Sequence, residues 1–321
     1  LARNLEGHSF PGHGSPEQEA LVLECVRIAF SPAEAQESFR FLPLAGLRSL
    51  ERRILVERHL ISPDLANHHK YAAVAFTEDT RLSVMVNEED HLRLQALRAG
   101  LDPVRTWKEV DGFDDWLGHQ VPYAYRSDYG FLTTHLANCG TGLRCSVMLH
   151  LPALLWTERL PDVLRAASRL GVMVRGTHGE GTESTGDLYQ VSNQHGLGYS
   201  EPQIVGQVEA VARHLVEGER RAREALVKRD RQKVLDAAYR SYGLLRYARV
   251  MDSVEALGLL SRLRLGQLLG LLEEVSDATL RGLLLAVQPA SLQSLMGQAH
   301  DEEDQSLRRA NFIRACLKAQ G

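Results

Sequence analysis

The chain has 321 residues, 44% hydrophobic and 24% charged, with a formal net charge of −4. That composition suits a globular protein with a sizeable core in two domains and argues against a nucleic-acid binder. No apolar run of about 18 residues suggests a membrane span, and no signal-peptide pattern opens the chain. Four cysteines (Cys25, Cys139, Cys145, Cys316) show neither CxxC pairing nor zinc spacing, which fits free thiols in a reducing cytoplasm.

The chain opens at Leu1 rather than methionine, and we expect it to continue upstream. Ser15-Pro16-Glu17 is a helix-start signal, with apolar Leu21, Val22, Val26 and Ile28 following. A second helical segment is expected from about 43 to 60, making 1–62 a small helical part. From about 71 to 191 the pattern changes to strand-like runs at 72–76, 82–86, 145–149, 172–175 and 188–192. Helices are expected between them at 91–98, 113–117 and 152–170. The segment Val86-Asn87-Glu88-Glu89-Asp90-His91-Leu92-Arg93 closes one alternating run. There Asn87 reads as an N-cap, with Glu88, Glu89 and Asp90 complementing a helix dipole.

Residues 202–250 read as helix, and Glu217, Glu219, Arg220, Arg221, Arg223 and Glu224 read as its solvated face. Asp252 and Glu255 form a capping pair. Leu257, Leu260, Leu263, Leu265, Leu268, Leu269 and Leu272 recur at helical spacing, predicting a small helical core whose surplus leucines suit a dimer interface. The tail, 301–319, reads as one amphipathic helix. The fold class expected is α+β, with a central, mainly antiparallel sheet flanked by helices and an all-helical C-terminal domain. The domains expected are 1–226, divided into 1–62 and 63–226, and 227–321.

Three further segments carry chemistry. Asn138-Cys139-Gly140-Thr141-Gly142-Leu143-Arg144 is a glycine loop with an arginine where it meets a strand. A strand ends at Arg175, and the loop from Gly176 to Gly186 follows, with four glycines and two glutamates. Its glycines and lack of apolar anchors make it a candidate mobile lid, or simply a long connection. His59 sits in Val56-Glu57-Arg58-His59-Leu60 on an expected helix. Neither GxxxxGK[ST] nor GxGxxG occurs, so a bound nucleotide would need arginines in place of a phosphate loop. Arg93, Arg144 and Arg175 suit that, since a guanidinium fork spans two phosphate oxygens and stays charged.

Together these motifs, with the opening Leu1-Ala2-Arg3-Asn4-Leu5 and His150-Leu151-Pro152-Ala153-Leu154, resemble the ATP:guanidino phosphotransferase (phosphagen kinase) family, and within it the bacterial protein-arginine kinases. The resemblance spans roughly 1–226, and the leucine-rich remainder is similar to those kinases' helical extension. It implies transfer of the γ-phosphoryl group of ATP to a guanidinium, with Mg²⁺ carried by ATP and no protein metal site. It implies Glu89 and Glu180 as the carboxylates that hold the guanidinium and take its proton. His59, Arg93, Arg144 and Arg175 would serve the nucleotide, with Cys145, Ser146, Val147, Met148, Gly176, Thr177, His178, Gly179 and Glu180 lining it. It further implies protein substrates with exposed arginines, among them a transcriptional repressor, a zinc-binding activator, a Clp-type protease, and a cytoplasmic homodimer linked to stress response.

The sequence departs from the family in three places. The family's Ser-x-Arg-x-Arg segment, with two phosphate-binding arginines, would precede Leu1. His135 stands where the family carries a cysteine, making it the candidate helper beside the guanidinium. The family's phosphoarginine-sensing Arg-Asp-x-x-Arg-Ala has its counterpart in Gln305-Ser306-Leu307-Arg308-Arg309-Ala310, so Arg308 and Arg309 are the candidate allosteric residues. Two other readings stay open: a kinase of free arginine, and a catalytically degenerate arginine- or phosphoarginine-binding paralogue.

Overall fold

Residues 1–35, 38–68, 70–176, 184–297 and 299–318 of a computed structural model are described. The strands are β1 (Ala2–Arg3), β2 (Arg40–Pro43), β3 (Ala73–Phe76), β4 (Leu82–Val86), β5 (Leu92–Ala96), β6 (Tyr125–Arg126), β7 (Gly130–Phe131), β8 (Ser146–His150), β9 (Val172–Gly176) and β10 (Leu188–Asn193). The helices are α1 (Pro16–Ala35), α2 (Ser49–Glu57), α3 (Pro63–Asn67), α4 (Pro103–Gly118), α5 (Pro152–Trp156), α6 (Leu160–Arg169), α7 (Glu201–Tyr247), α8 (Ser253–Leu268), α9 (Asp277–Ala286), α10 (Pro289–Met296) and α11 (Glu302–Lys318). They form two compact units, Leu1–Val147 with Ser192–Ala210, and Met148–Val191 with Val211–Gly321.

The first unit is built on a five-stranded antiparallel sheet in the order β1-β5-β4-β3-β2. Val74 and Met85 sit opposite one another and pack with Leu44, Leu55, Leu60 and Leu65. Each such fully buried aliphatic side chain stabilises by about 2 kcal/mol. Phe30, Phe113 and Trp116 of α1 and α4 cluster with Phe39, whose ring stacks on Phe113 at 4.9 Å. The N-terminal part is helical through α1 to α3, and it also supplies both edge strands of the sheet. β2 is four residues long and closes with Pro43, which an edge strand tolerates because no ladder bond is needed from it.

The second unit holds the leucine-rich helices. Leu257, Leu260 and Leu263 of α8 bury against Leu280, Leu283, Ile313 and Leu317. Asp252 caps α8 as expected, its carboxylate accepting from the Glu255 N–H at 2.8 Å. α7 carries a kink at Asp230 (φ −137°, ψ 36°). A three-stranded sheet, ordered β8-β10-β9, completes the strands apart from the β6–β7 ribbon.

Three expectations are corrected. Residues 91–98 are not helix: Leu92 and Leu94 are buried while Arg93 between them is exposed, the period of a strand, and β5 forms there. Residues 152–170 form two helices, α5 and α6, interrupted where Glu158 takes φ 56°. The charge run at 217–224 is not wholly solvated. Glu219 is buried, its carboxylate accepting from the Ala153 and Leu154 N–H groups at 3.1 and 2.9 Å and from Arg223 Nε at 2.7 Å. A carboxylate on the free N–H groups of a helix start stabilises that start, and that is α5 here.

Candidate active site

Glu89 lies at the tip of the tight turn joining β4 to β5. Asn87 opens the turn at φ 58°, in the left-handed region that asparagine tolerates. Its side chain does not cap a helix, as the sequence suggested. Its amide donates instead to the Glu19 and Tyr71 carbonyls at 2.9 and 2.8 Å. The three neighbouring acids then take different surroundings. Glu88 pairs with Arg93, Nη1 to Oε1 3.0 Å. Asp90 is buried, its Oδ1 accepting from Asn4 Nδ2 at 2.6 Å and from the Thr134 N–H at 2.7 Å. Glu89 alone projects outward, with 41% of its side chain exposed.

His91 is buried with both ring nitrogens engaged. Nδ1 accepts from the Leu5 N–H at 3.1 Å, so Nε2 carries the hydrogen and donates to the Ser9 carbonyl at 3.0 Å. Burial holds its pKa down, to about 4, against the raising effect of the Ser9 bond. Asn4 closes the knot, accepting from the His91 N–H at 2.8 Å. The turn is therefore clamped on its inner side, and the Asp90–Thr134 bond draws the 133–138 segment to it.

That segment brings two side chains to Glu89. Asn138 Nδ2 donates to Glu89 Oε1 at 3.1 Å, and His135 Nε2 lies 3.5 Å from the same oxygen. The Glu89 carboxyl is pushed above the usual carboxylate range by burial first, with Asp90 and Glu88 adding to it and His135 and Arg93 opposing. A carboxylate with a raised pKa is a stronger proton acceptor at working pH.

Arg93 stands on β5 with Gln95 two residues on, hence on the same face. His59 is not on a helix as the sequence suggested: it follows the end of α2 in the left-handed region (φ 59°), where Gln95 Nε2 donates to its carbonyl at 2.6 Å and to Ser83 Oγ at 2.8 Å, holding the exposed His59 near that face. The Asn138–Arg144 loop docks on β1, with the Ala2 N–H donating to the Gly142 carbonyl at 2.9 Å. Gly142 has φ 63°, and a Cβ there would meet the Ala2 carbonyl oxygen at 2.5 Å and Arg3 Nη1 at 2.6 Å. Only glycine fits so close an approach. Arg3 is the buried anchor beneath, paired with Asp114 at 2.6 Å, donating to the Thr141 carbonyl at 2.8 Å and lying 3.6 Å from the Phe131 ring centre. Arg144 is exposed two residues after Gly142.

Of the residues after Arg144, Ser146 and Met148 are exposed and Val147 is half-buried. Cys145 is buried, its N–H donating to Asn193 Oδ1 at 2.8 Å, and burial pushes its thiol up to about 11. It serves as scaffold rather than as a thiolate. Arg175 is exposed near the end of β9 in the second unit, followed by Gly176. Thr177, His178, Gly179 and Glu180 lie outside the described residues. In α11, Arg308 pairs with Asp304 at 3.0 Å and donates to the Met296 carbonyl at 2.8 Å. Arg309 is 2% exposed and donates to the Val287 and Met251 carbonyls at 2.8 and 3.1 Å.

The structure thus brings Glu89, His135 and Arg93 together in one unit, with His59 and Arg144 held on neighbouring elements. Sequence reasoning missed Asn138, Asn4, Asp90 and Gln95 as contributors. Asn138 and Asn4 lay inside quoted motifs, whereas Gln95 becomes visible only once 92–96 is known to be a strand.

A family model described as ATP:guanido phosphotransferase, C-terminal catalytic domain, matches residues 22–222, and one described as the protein-arginine kinase McsB C-terminal domain matches 231–321. The protein-arginine kinase of Pelotomaculum thermopropionicum is 45% identical over 83% of this chain and 76% of its own length. That of Halalkalibacterium halodurans is 41% identical over 99% of this chain and 90% of its own. Among solved structures, the duplicated taurocyamine kinase from Schistosoma mansoni, with bound transition-state-analogue components, superposes with TM-score 0.60 at 27% identity, covering 68% of this chain and 32% of that one. Lombricine kinase shares the fold, with TM-score 0.60 at 21% identity over 68% of this chain and 64% of its own. The chain belongs to the ATP:guanido phosphotransferase family and, within it, to the protein-arginine kinases.

Proposed function

We propose that Glu89 is the base that orients and deprotonates the target guanidinium in an ATP-dependent phosphorylation of protein arginines. The chain is a guanidino phosphotransferase with ATP as donor and protein arginine as acceptor. The observation that carries the role of Glu89 is its geometry: a projecting carboxylate with a raised pKa, held by Asn138 on a turn clamped through Asp90 and His91.

A guanidinium is a poor nucleophile because its lone pairs are delocalised. A carboxylate that accepts from two of its N–H groups fixes its plane and takes up the proton as nitrogen attacks the γ-phosphorus. Glu180 would serve from the other side. Arg93, Arg144 and Arg175 would neutralise the transferring phosphoryl group, with His59 at the nucleotide. Arg93, held by Glu88 here, would exchange that partner for phosphate. His135 would position the guanidinium by hydrogen bonding when neutral. Mg²⁺ would arrive on the nucleotide's phosphates, which supply its ligands in kinases. Among the described residues no group of three or more His, Cys, Asp or Glu side chains could hold a metal.

Residues 1–226 would carry the reaction and 227–321 would serve dimerisation or phosphoarginine sensing. Phosphorylation turns a cation into an anion, a mark suited to inactivating a repressor or delivering a protein to a Clp-type protease. A zinc-binding activator and a cytoplasmic setting belong to the same reading. No helix among the described residues is long and apolar enough to cross a membrane.

The test incubates the protein with Mg-ATP and either unfolded β-casein or free arginine. Acid-labile N-phosphate is then sought by phosphorus NMR and mass spectrometry. Phosphoarginine on casein is expected. Label on free arginine alone would mean a small-molecule kinase, and label on neither would mean a binding paralogue.

A further inference from the structure

A hydrogen-bonded knot within the second unit joins stretches that the two family models keep apart. His150 ends β8 and Asp187 immediately precedes β10, both within the catalytic stretch 22–222, whereas Ser261 lies on α8 in the C-terminal stretch 231–321. Ser261 Oγ donates to Asp187 Oδ2, and His150 Nε2 lies 2.8 Å from the same Oγ. With the serine proton on Asp187, the imidazole carries its hydrogen on Nε2, and Nδ1 is buried without a hydrogen-bond partner. Ser261 itself is 1% exposed.

The backbone is as constrained as the side chains. Gly186 and Asp187 take successive left-handed conformations, φ 69° and 55°. A Cβ on Gly186 would stand 3.3 Å from the Leu257 carbonyl oxygen, so its main chain rests against α8. The Asp187 carbonyl accepts from the Leu151 N–H at 2.9 Å, tying the end of β8 to the same point. A left-handed aspartate persists only where its surroundings hold it, and such sites gather near functional machinery. All these residues fall in the second unit, which unites 148–191 with the helical region. β10 is the middle strand of β8-β10-β9, and β9 carries Arg175. Fixing where β10 begins therefore fixes the sheet on which Arg175 stands.

We infer that Ser261 is a positioning residue for phosphoryl transfer. Through Asp187 and His150, α8 holds the strands beside Arg175 in register, which makes the C-terminal helices part of the transfer machinery. The inference rests on the reading above that Arg175 meets the phosphates. It is tested in the full chain with Ser261→Ala, Asp187→Ala and Asp187→Asn, the last keeping an acceptor and tolerating the left-handed backbone. With Mg-ATP and β-casein, both alanine variants should lose about 10-fold or more in kcat. Their KM for casein should stay within about twofold, and Asp187→Asn should retain most of the rate. Hydrogen exchange without nucleotide should quicken over 184–193 in Ser261→Ala while 73–96 stays unchanged. A wild-type kcat in Ser261→Ala, a loss expressed mainly as raised KM for casein, or equal losses in Asp187→Asn and Asp187→Ala would overturn the inference. If the unmodified protein labels no casein, the proposed function fails separately. Unaltered exchange over 184–193 would then overturn the positioning role by itself.

Discussion

The turn at 87–91 and the helix segment at 305–310 both set residues of one charge side by side, and they resolve in opposite ways. In the turn, Glu88 is tied to Arg93, Asp90 is buried on Asn4 and Thr134, and the residue between them is presented outward. In α11 the inner arginine, Arg309, is buried on two backbone carbonyls, while Arg308 stays near the surface beside Asp304. Neighbouring residues of one charge type thus divide into scaffold and presented group. The local backbone decides which is which: alternation about a tight turn in one case, the helical period in the other.

The largest effect should come from the scaffold of the turn. Asp90→Ala leaves the buried Asn4 amide and Thr134 N–H without their acceptor and should cost about 4 kcal/mol of stability. Urea unfolding measures this, and a loss below about 1 kcal/mol would show that the knot does not hold the turn. His91 adds a pH limb of about 3 kcal/mol, from its ordinary value of 6.5 down to about 4. Because its folded-state pKa is lowered, the unfolded chain takes the proton first. Its contribution is therefore intact above pH 6.5 and is lost as pH falls towards 4. His150, held down to about 3 by burial and by Arg264 and Arg223, adds to the same limb. His91→Gln should flatten the limb in part, and an unchanged acid profile would contradict the neutral, buried assignment.

Gly142→Ala should cost about 2 kcal/mol, from the left-handed backbone and the approach to Ala2 together. It should also slow transfer by displacing the loop that leads to Arg144, and thermal melts with initial rates would show whether the two losses go together. In α11, Arg309→Met should cost about 2 kcal/mol by stranding carbonyls that Arg309 satisfies. Arg308→Ala should cost less, about 0.5 kcal/mol, since its half-buried pair with Asp304 stays near solvent. Equal effects at 308 and 309 would erase the contrast between presented and scaffold arginines.

Much of this was legible in the sequence. Leu82–Val86 was legible as a strand with its bounds intact, because a short apolar run is marked at both ends, by Arg81 and by Asn87. The Asp252 cap followed from spacing alone, as did the buried Leu257, Leu260, Leu263 and Leu265 of α8, whereas Leu268 of the same set is exposed. Residues 91–98 were not legible as a strand. A run of acids after asparagine satisfies both a helix start and a hairpin turn, and only pairing with β4 and β1 decides between them. β2 was hidden because only Phe41 and Leu42 are apolar between Arg40 and Pro43. Glu219 was hidden because nothing local says that one acid in a charged run meets the start of α5. Glu89, Arg93 and His135 stood out as candidate site residues through their motifs, but the groups packed around them did not, since Asn4, Asp90 and Gln95 act through contacts distant in sequence.

The central claim, that Glu89 takes the guanidinium proton, is tested most directly by Glu89→Gln, which keeps the shape and removes the base. Transfer to β-casein should fall at least about 10²-fold. Mg-ATP binding, followed by calorimetry, should stay within about twofold. A Glu89→Gln protein that phosphorylates casein at near its original rate would contradict the assignment.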